Sequence, residues 1–179
     1  MKIRFLVAIL TLCFFSCKGI SPSKDYHEIN CNGIDIISLG DSIENIKTKL
    51  DKKIMVDEYE ELGSFYVRIQ FEHKNFITIG HYESKVFIIG LFSDKYRLKD
   101  NIFIGMGLEE LKPFIENFKI KINHHDSIEY VEYSCEKGTI KVLVRSKNDS
   151  PNHVGIYTKN RDETDVFHED AIVYGFIIQ

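Results

Sequence analysis

Apolar and polar residues change period several times along the chain, and each change marks an element. Ile34 to Leu39 alternates weakly and is apolar enough for a first strand. Gly40-Asp-Ser then turns into a helix with Ile43, Ile46 and Leu50 at i, i+3 and i+7, and with Asp41 and Glu44 at the spacing of a capping box. From Ser64 the period drops to two. Phe65, Val67, Ile69 and Phe71 alternate with Tyr66, Arg68, Gln70 and Glu72, and a polar break at His73-Lys-Asn75 leads into Phe76 to Gly80. A further strand follows at Lys85 to Phe92. The pattern predicts an antiparallel meander laid against one helix.

The same order then recurs. Ile37-Ser-Leu-Gly-Asp-Ser-Ile-Glu-Asn-Ile-Lys47 pairs with Ile102-Phe-Ile-Gly-Met-Gly-Leu-Glu-Glu-Leu-Lys112 at a constant separation of 65 residues. Leu108, Leu111 and Ile115 repeat the helical stripe, and Pro113 stands where Thr48 stood, which stops the second helix after its first turn. Phe118 to Ile122 alternates as a strand, and Ile128 to Tyr133 and Thr139 to Val144 flank the tight-turn pair Lys137-Gly138. The closing strands also correspond, Val86 to Phe92 with Ala171 to Ile177, at a separation of 85. About twenty extra residues therefore lie in the second unit, within Ser146 to Asp170, where His153 to Thr158 predicts a short strand. The expectation is an α+β fold of two tandem repeats, each a short helix packed on an antiparallel β-meander, over residues 34–100 and 101–179. An insertion at about 146–170 in one copy only is where a duplicated scaffold most easily gains a function, and its removal is expected to leave the melt nearly unchanged.

The first residues have a different character. Met1-Lys-Ile-Arg4 is positive, Phe5 to Phe15 is an apolar run short for a bilayer span, and Ser16 places a small residue before Cys17. Residues 1–16 resemble a bacterial lipoprotein signal peptide. That resemblance implies cleavage before Cys17 and acylation of its thiol with palmitate-type chains. It also implies a lipid anchor in the bacterial cell envelope, in the outer membrane facing the periplasm or the cell surface. An ordinary secretory signal with an incidental cysteine is the alternative. Residues 17–33 then hold the lipidated cysteine and a tether, since Gly19 to Asn30 lacks apolar periodicity and contains Ser21-Pro-Ser-Lys-Asp25.

Charge and cysteines narrow the picture. The chain carries 23 basic and 27 acidic residues, and removal of Lys2 and Arg4 leaves 21 against 27, a net charge of about −6. Such a balance speaks against nucleic acid as a partner. Cys31 and Cys135 would meet an oxidising compartment, where they either form a disulfide or stand as two separately buried thiols.

Candidate chemistry comes last. Ile36-Ile-Ser-Leu-Gly-Asp-Ser-Ile43 resembles the nucleophile block of GDSL-type esterases, and Asp165-Val-Phe-His168 matches that family's Asp-x-x-His. The resemblance implies a triad in which Ser42 attacks, His168 is the base and Asp165 orients it. Against it stand the second copy of the turn, Gly105-Met-Gly107, which has no serine, and the consecutive strands where that family alternates strand and helix. His124-His125-Asp126 and the acidic stretch Asp162 to Asp170 lack zinc-like or EF-hand spacing, so no metal and no cofactor is assigned. The Leu-Gly-x-Ser/Gly-aliphatic-Glu opening of each unit is similar to small outer-membrane assembly lipoproteins and to tandem-repeat β-lactamase inhibitor proteins. The resemblance implies a non-enzymatic module that binds a protein partner in the envelope, as an assembly factor or of inhibitor or immunity type, through a sheet face or the insertion. A carrier of a small apolar ligand between helix and sheet is a further alternative.

Overall fold

The computed structural model describes residues 26–34, 37–49, 55–61, 63–72, 75–136, 138–148 and 153–179. The signal segment with Cys17, and Leu50, Lys137 and Asp149, lie outside the described residues. The chain runs β1 (His27–Asn30), β2 (Gly33–Ile34), β3 (Ile37–Ser38), α1 (Ile43–Lys49), β4 (Met55–Glu61), β5 (Ser64–Glu72), β6 (Asn75–Tyr82), β7 (Lys85–Phe92) and β8 (Tyr96–Leu98). The remainder runs α2 (Leu108–Leu111), β9 (Ile120–Asn123), β10 (Ile128–Cys135), β11 (Gly138–Ser146), β12 (Glu163–Thr164) and β13 (Ala171–Ile178). The fold is mainly β with two short helices, within the α+β class.

Two sheets account for the described strands. The larger has nine, in the order β12-β9-β10-β11-β13-β7-β6-β5-β4, with every neighbour antiparallel. The smaller has the order β3-β2-β1-β8, and β1 runs parallel to β8. Period-two alternation explains why the large sheet has one apolar side. Val67, Ile69, Ile77, Ile79, Ile89 and Leu91 from one half, and Val131, Ile140, Val142, Phe176 and Ile178 from the other, are all buried in one cluster. Ile43 and Ile46 of α1, Leu108 and Leu111 of α2, and Ile29, Ile34 and Ile37 of the small sheet belong to the same cluster. Helices and small sheet therefore cover one face of the large sheet.

Several details depart from the sequence pattern. The segment taken as tether contains β1, whose sequence His-Glu-Ile-Asn shows only one apolar residue because only Ile29 reaches the core. The acidic strand β4, Met-Val-Asp-Glu-Tyr-Glu-Glu, is hidden by its charge, which suits a sheet edge that must not pair with other chains. His153 to Thr158 is a loop touching Phe167 through a single bridge at Gly155, not a strand. The capping box does not form between Asp41 and Glu44: the Asp41 carboxylate accepts the Ser38 N–H at 2.8 Å, one turn earlier. Pro113 acts as expected, since α2 ends at Leu111 and passes into a 3-10 turn, Lys112–Phe114.

Both glycine turns hold the start of a closing strand. Gly40 N–H donates to Val86 O at 2.8 Å, and Val86 N–H donates back to Asp41 O. Gly105 N–H donates to Val173 O at 2.8 Å, and Val173 N–H donates back to Met106 O. Gly40 and Gly105 have φ of 85° and 98°, which a side chain would resist. Each closing strand also carries one bulged residue. Gly80 and His81 face Ile88 and Val86, leaving Phe87 extra, and Leu143 and Val144 face Gly175 and Val173, leaving Tyr174 extra. By backbone role the closing strands therefore correspond at a separation of 87, not the 85 given by side-chain similarity, because backbone bonds and not residue identities set the register.

Cys31, in the turn after β1, and Cys135, at the end of β10, form a disulfide with Cα atoms 6.1 Å apart and a sequence separation of 104. It ties the small sheet to the tip of the β10–β11 hairpin. Closing a loop of that length stabilises by ~4–5 kcal/mol in the chain-entropy picture. The double substitution Cys31→Ser with Cys135→Ser should therefore lower the urea midpoint by a loss of that order. A midpoint that does not move would remove the bridge from any structural role.

Candidate functional site: the open face of the sheet

The face of the large sheet turned away from the helices is set by the other half of each alternation. Across β5, β6 and β7 it brings Tyr66, Gly80 and Ile88 into one row, Arg68, Thr78 and Gly90 into the next, and Gln70, Phe76 and Phe92 into a third. On β13 and β11 it continues through Ile177 and Lys141, then Gly175 and Leu143. Tyr130 follows on β10. The residues are aromatic, aliphatic or glycine, with scattered cations.

The glycines explain the geometry of the rings. A Cβ on Gly175 would meet the Phe92 ring at 2.8 Å, and one on Gly90 would meet the same ring at 3.2 Å. Phe92 thus lies flat across two strands, covering backbone that glycine leaves bare. Phe76 stacks on Phe92 with centroids 4.6 Å apart, and Tyr174 approaches it at 6.1 Å. Tyr59 stacks on Tyr66 at 5.4 Å, and Phe87 meets Tyr66 edge-on. Leu143 is only 1% exposed although it faces outward, so the neighbouring side chains shield it. Tyr59, Phe87 and Tyr82 remain exposed at 43%, 41% and 59%. Burial, with Tyr66 also near the Glu61 carboxylate, raises the Tyr66 and Tyr174 phenols above their ordinary value, so both stay protonated donors at neutral pH.

Cations lie over these rings. The Arg68 guanidinium sits 4.2 Å from the Phe76 centroid, the Lys141 ammonium 5.0 Å from that of Tyr130, and the Arg145 guanidinium 5.2 Å from that of Tyr174.

The triad residues lie apart from this surface and keep other partners. Ser42 precedes α1 and donates its Oγ–H to Glu44 Oε2 at 2.5 Å, while the other Glu44 oxygen accepts the Ser84 hydroxyl at 2.8 Å. These hydroxyls, with a backbone N–H, lower the Glu44 pKa to about 2. Asp165 pairs with Lys119 at 3.2 Å, which lowers its pKa, and His168 bonds through its backbone N–H to Val154 O. The histidines of the paired cluster hold carboxylates, His124 with Asp162 at 2.8 Å and His125 with Asp126 at 2.6 Å. Among the described residues no three His, Cys, Asp or Glu side chains converge. A cleft of about 460 Å³ lies beside the disulfide, lined among others by Glu28, Asn30, Lys99, Tyr133 and Glu136.

The insertion is fastened to the core, which the sequence did not lead one to expect. Glu129 of β10 is 5% exposed on the apolar side of the sheet. Its carboxylate accepts the N–H groups of Val154 at 2.6 Å and Gly155 at 2.8 Å and the Tyr157 hydroxyl at 2.7 Å, with His153 Nδ1 at 3.6 Å. Burial and this bond raise the Tyr157 phenol pKa strongly. Val154 enters the core cluster, and the base of the insertion is closed by the Ser146 hydroxyl donating to Asp170 at 2.5 Å. Removing the segment would leave a buried carboxylate without donors, so the melt cannot stay unchanged.

No protein-family description and no curated protein matches the chain. Among solved structures the chain is similar to the crystal structure of the uncharacterized protein YfeY from Escherichia coli, with a TM-score of 0.60 over 85% of this chain and 99% of that one. Sequence identity is 9%, so the likeness is one of fold. Among the described residues no helix is long and apolar enough to cross a membrane.

Two outcomes follow from these contacts. Glu129→Ala should destabilise by ~2–4 kcal/mol in urea titrations, because two buried N–H groups lose their acceptor, and Tyr157→Phe should cost less; equal midpoints for all three proteins would contradict the fastening. For Glu44 the folded pKa is depressed, so its stabilisation is complete above its ordinary value of 4.5 and is lost as pH falls toward 2. A comparison of urea midpoints at pH 6 and pH 3 should show a smaller acid loss in Glu44→Gln than in the parent chain.

Proposed function

We propose that the chain is a lipid-anchored protein of the bacterial cell envelope that acts without catalysis, by holding a protein partner on the open face of its large sheet. The observation that carries this reading is the set of rings centred on Phe76, Phe92 and Tyr174, flattened over Gly90 and Gly175. Contiguous apolar surface of this kind on a stable core marks an interaction site. Rings already immobilised by their neighbours also lose little side-chain freedom when a partner covers them.

The anchor rests on the resemblance of residues 1–16 to a lipoprotein signal peptide and on Cys17 after it, which supports a lipid-held domain in the outer membrane, toward the periplasm or the surface. The duplicated scaffold is supported by the matched turns at Gly40 and Gly105 and the matched bulges at Phe87 and Tyr174. The insertion then serves the second unit as a structural strap through Glu129, which leaves the sheet face as the docking surface.

A photo-reactive residue tests the reading in intact cells. Placed at Ile177 on the open face it should cross-link to one discrete protein. Placed at Lys49 on α1 it should not, and Cys17→Ser should abolish incorporation of an alkyne-labelled fatty acid. Equal cross-linking from both positions, or none from Ile177, would overturn the docking surface, and labelled Cys17→Ser protein would overturn the anchor.

A further inference from the structure

The charges on the open face are sorted by strand. On five contiguous strands, β5, β6, β7, β13 and β11, the described side chains that face outward carry positive charge only: Arg68, Lys141 and Arg145, with Lys85 at the start of β7. Arg68, Lys141 and Arg145 each lie over a ring of the same face, Phe76, Tyr130 and Tyr174 respectively. Carboxylates on that face belong to the flanking strands. Asp57 stands across from Arg68 on the edge strand β4, and Glu61 lies at the end of the same strand. Glu132 stands across from Lys141 but gives its carboxylate to Lys121 at 2.7 Å, and Glu163 lies at the far edge on β12. A chain with a formal net charge of −4 thus keeps these five ring-bearing strands of its open face free of described carboxylates.

We infer that the partner enters this face with a segment that combines carboxylates and aromatic or aliphatic side chains, an acidic apolar loop or strand. This rests on the open face being the docking surface. The chemistry is specific. A carboxylate arriving above Phe76 meets the Arg68 guanidinium already held against the ring, whose N–H edge can offer two parallel donors. The rings supply apolar area between the cations, and the acidic edge strand β4 repels a segment that arrives in the wrong register. A basic segment finds no carboxylate at the centre and leaves its charges unpaired as water is excluded.

Random copolymers provide the probe. Binding of a glutamate–tyrosine copolymer, a lysine–tyrosine copolymer and polyglutamate to the full chain in detergent can be followed by microscale thermophoresis at 50 and 200 mM salt. The glutamate–tyrosine copolymer should bind at least tenfold tighter than either of the others, and Arg68→Glu with Lys141→Glu should weaken it about tenfold without moving the urea midpoint. Equal binding of both tyrosine copolymers, each lost in Phe92→Ala, would overturn the charge preference while leaving the docking face in place. Absence of binding by all three, or binding indifferent to Arg68, Lys141 and Phe92, would overturn both. Self-association of the chain that displaces the copolymer as protein concentration rises would overturn the inference in favour of a second copy on this face.

Discussion

The backbone pairing of β7 with β13 is the constraint on which the rest depends. Leu91 faces Phe176, Gly90 faces Ile177 and Ile89 faces Ile178, and these pairs turn a four-stranded and a five-stranded group into one continuous sheet. Both sides of the seam are sealed. Leu91 and Phe176 pack into the core below, and Phe92 spreads over Gly175 above. Without the seam neither half would bury its apolar side as fully, since small units expose a larger share of their surface. With it, nine strands share one apolar side and present one continuous open face.

Polar contacts then fix what the seam leaves loose. The disulfide holds the small sheet to a hairpin tip, Glu44 joins the start of α1 to the β6–β7 turn through two hydroxyls, and Glu129 holds the insertion. Each acts at the periphery, on the helix side or the sheet ends. None intrudes on the ring surface, so rigidity is supplied from one side of the sheet and recognition is free to use the other.

Much of this architecture was legible in the sequence. Period-two alternation from Phe65 to Phe92, the glycine turns at Gly40 and Gly105, the helical stripe Ile43–Ile46 and the stop at Pro113 each have a local cause, and each appears near its expected place. What was not legible depends on partners distant in sequence. Strand β1 has one apolar residue and exists because β8 lies beside it, and β4 is acidic because it is an edge. Glu129 reads as an ordinary polar position in an alternating strand, and only the insertion folding back reveals it as buried. The rings of the open face sit at strand spacing and were readable as sheet residues, but the sequence does not say that Phe92 would cover Gly175 from the other half. Gly-Asp-Ser drew attention to Ser42, whose hydroxyl instead bonds the helix's own Glu44.

One cooperative sheet built across the β7–β13 seam is the central claim, and native-state amide hydrogen exchange measures it directly. The account predicts that the slowest amides of the two halves, those of Ile77 and Ile79 on one side and of Val131 and Val142 on the other, open with one common free energy. Two separate free energies, one for each half, would contradict it.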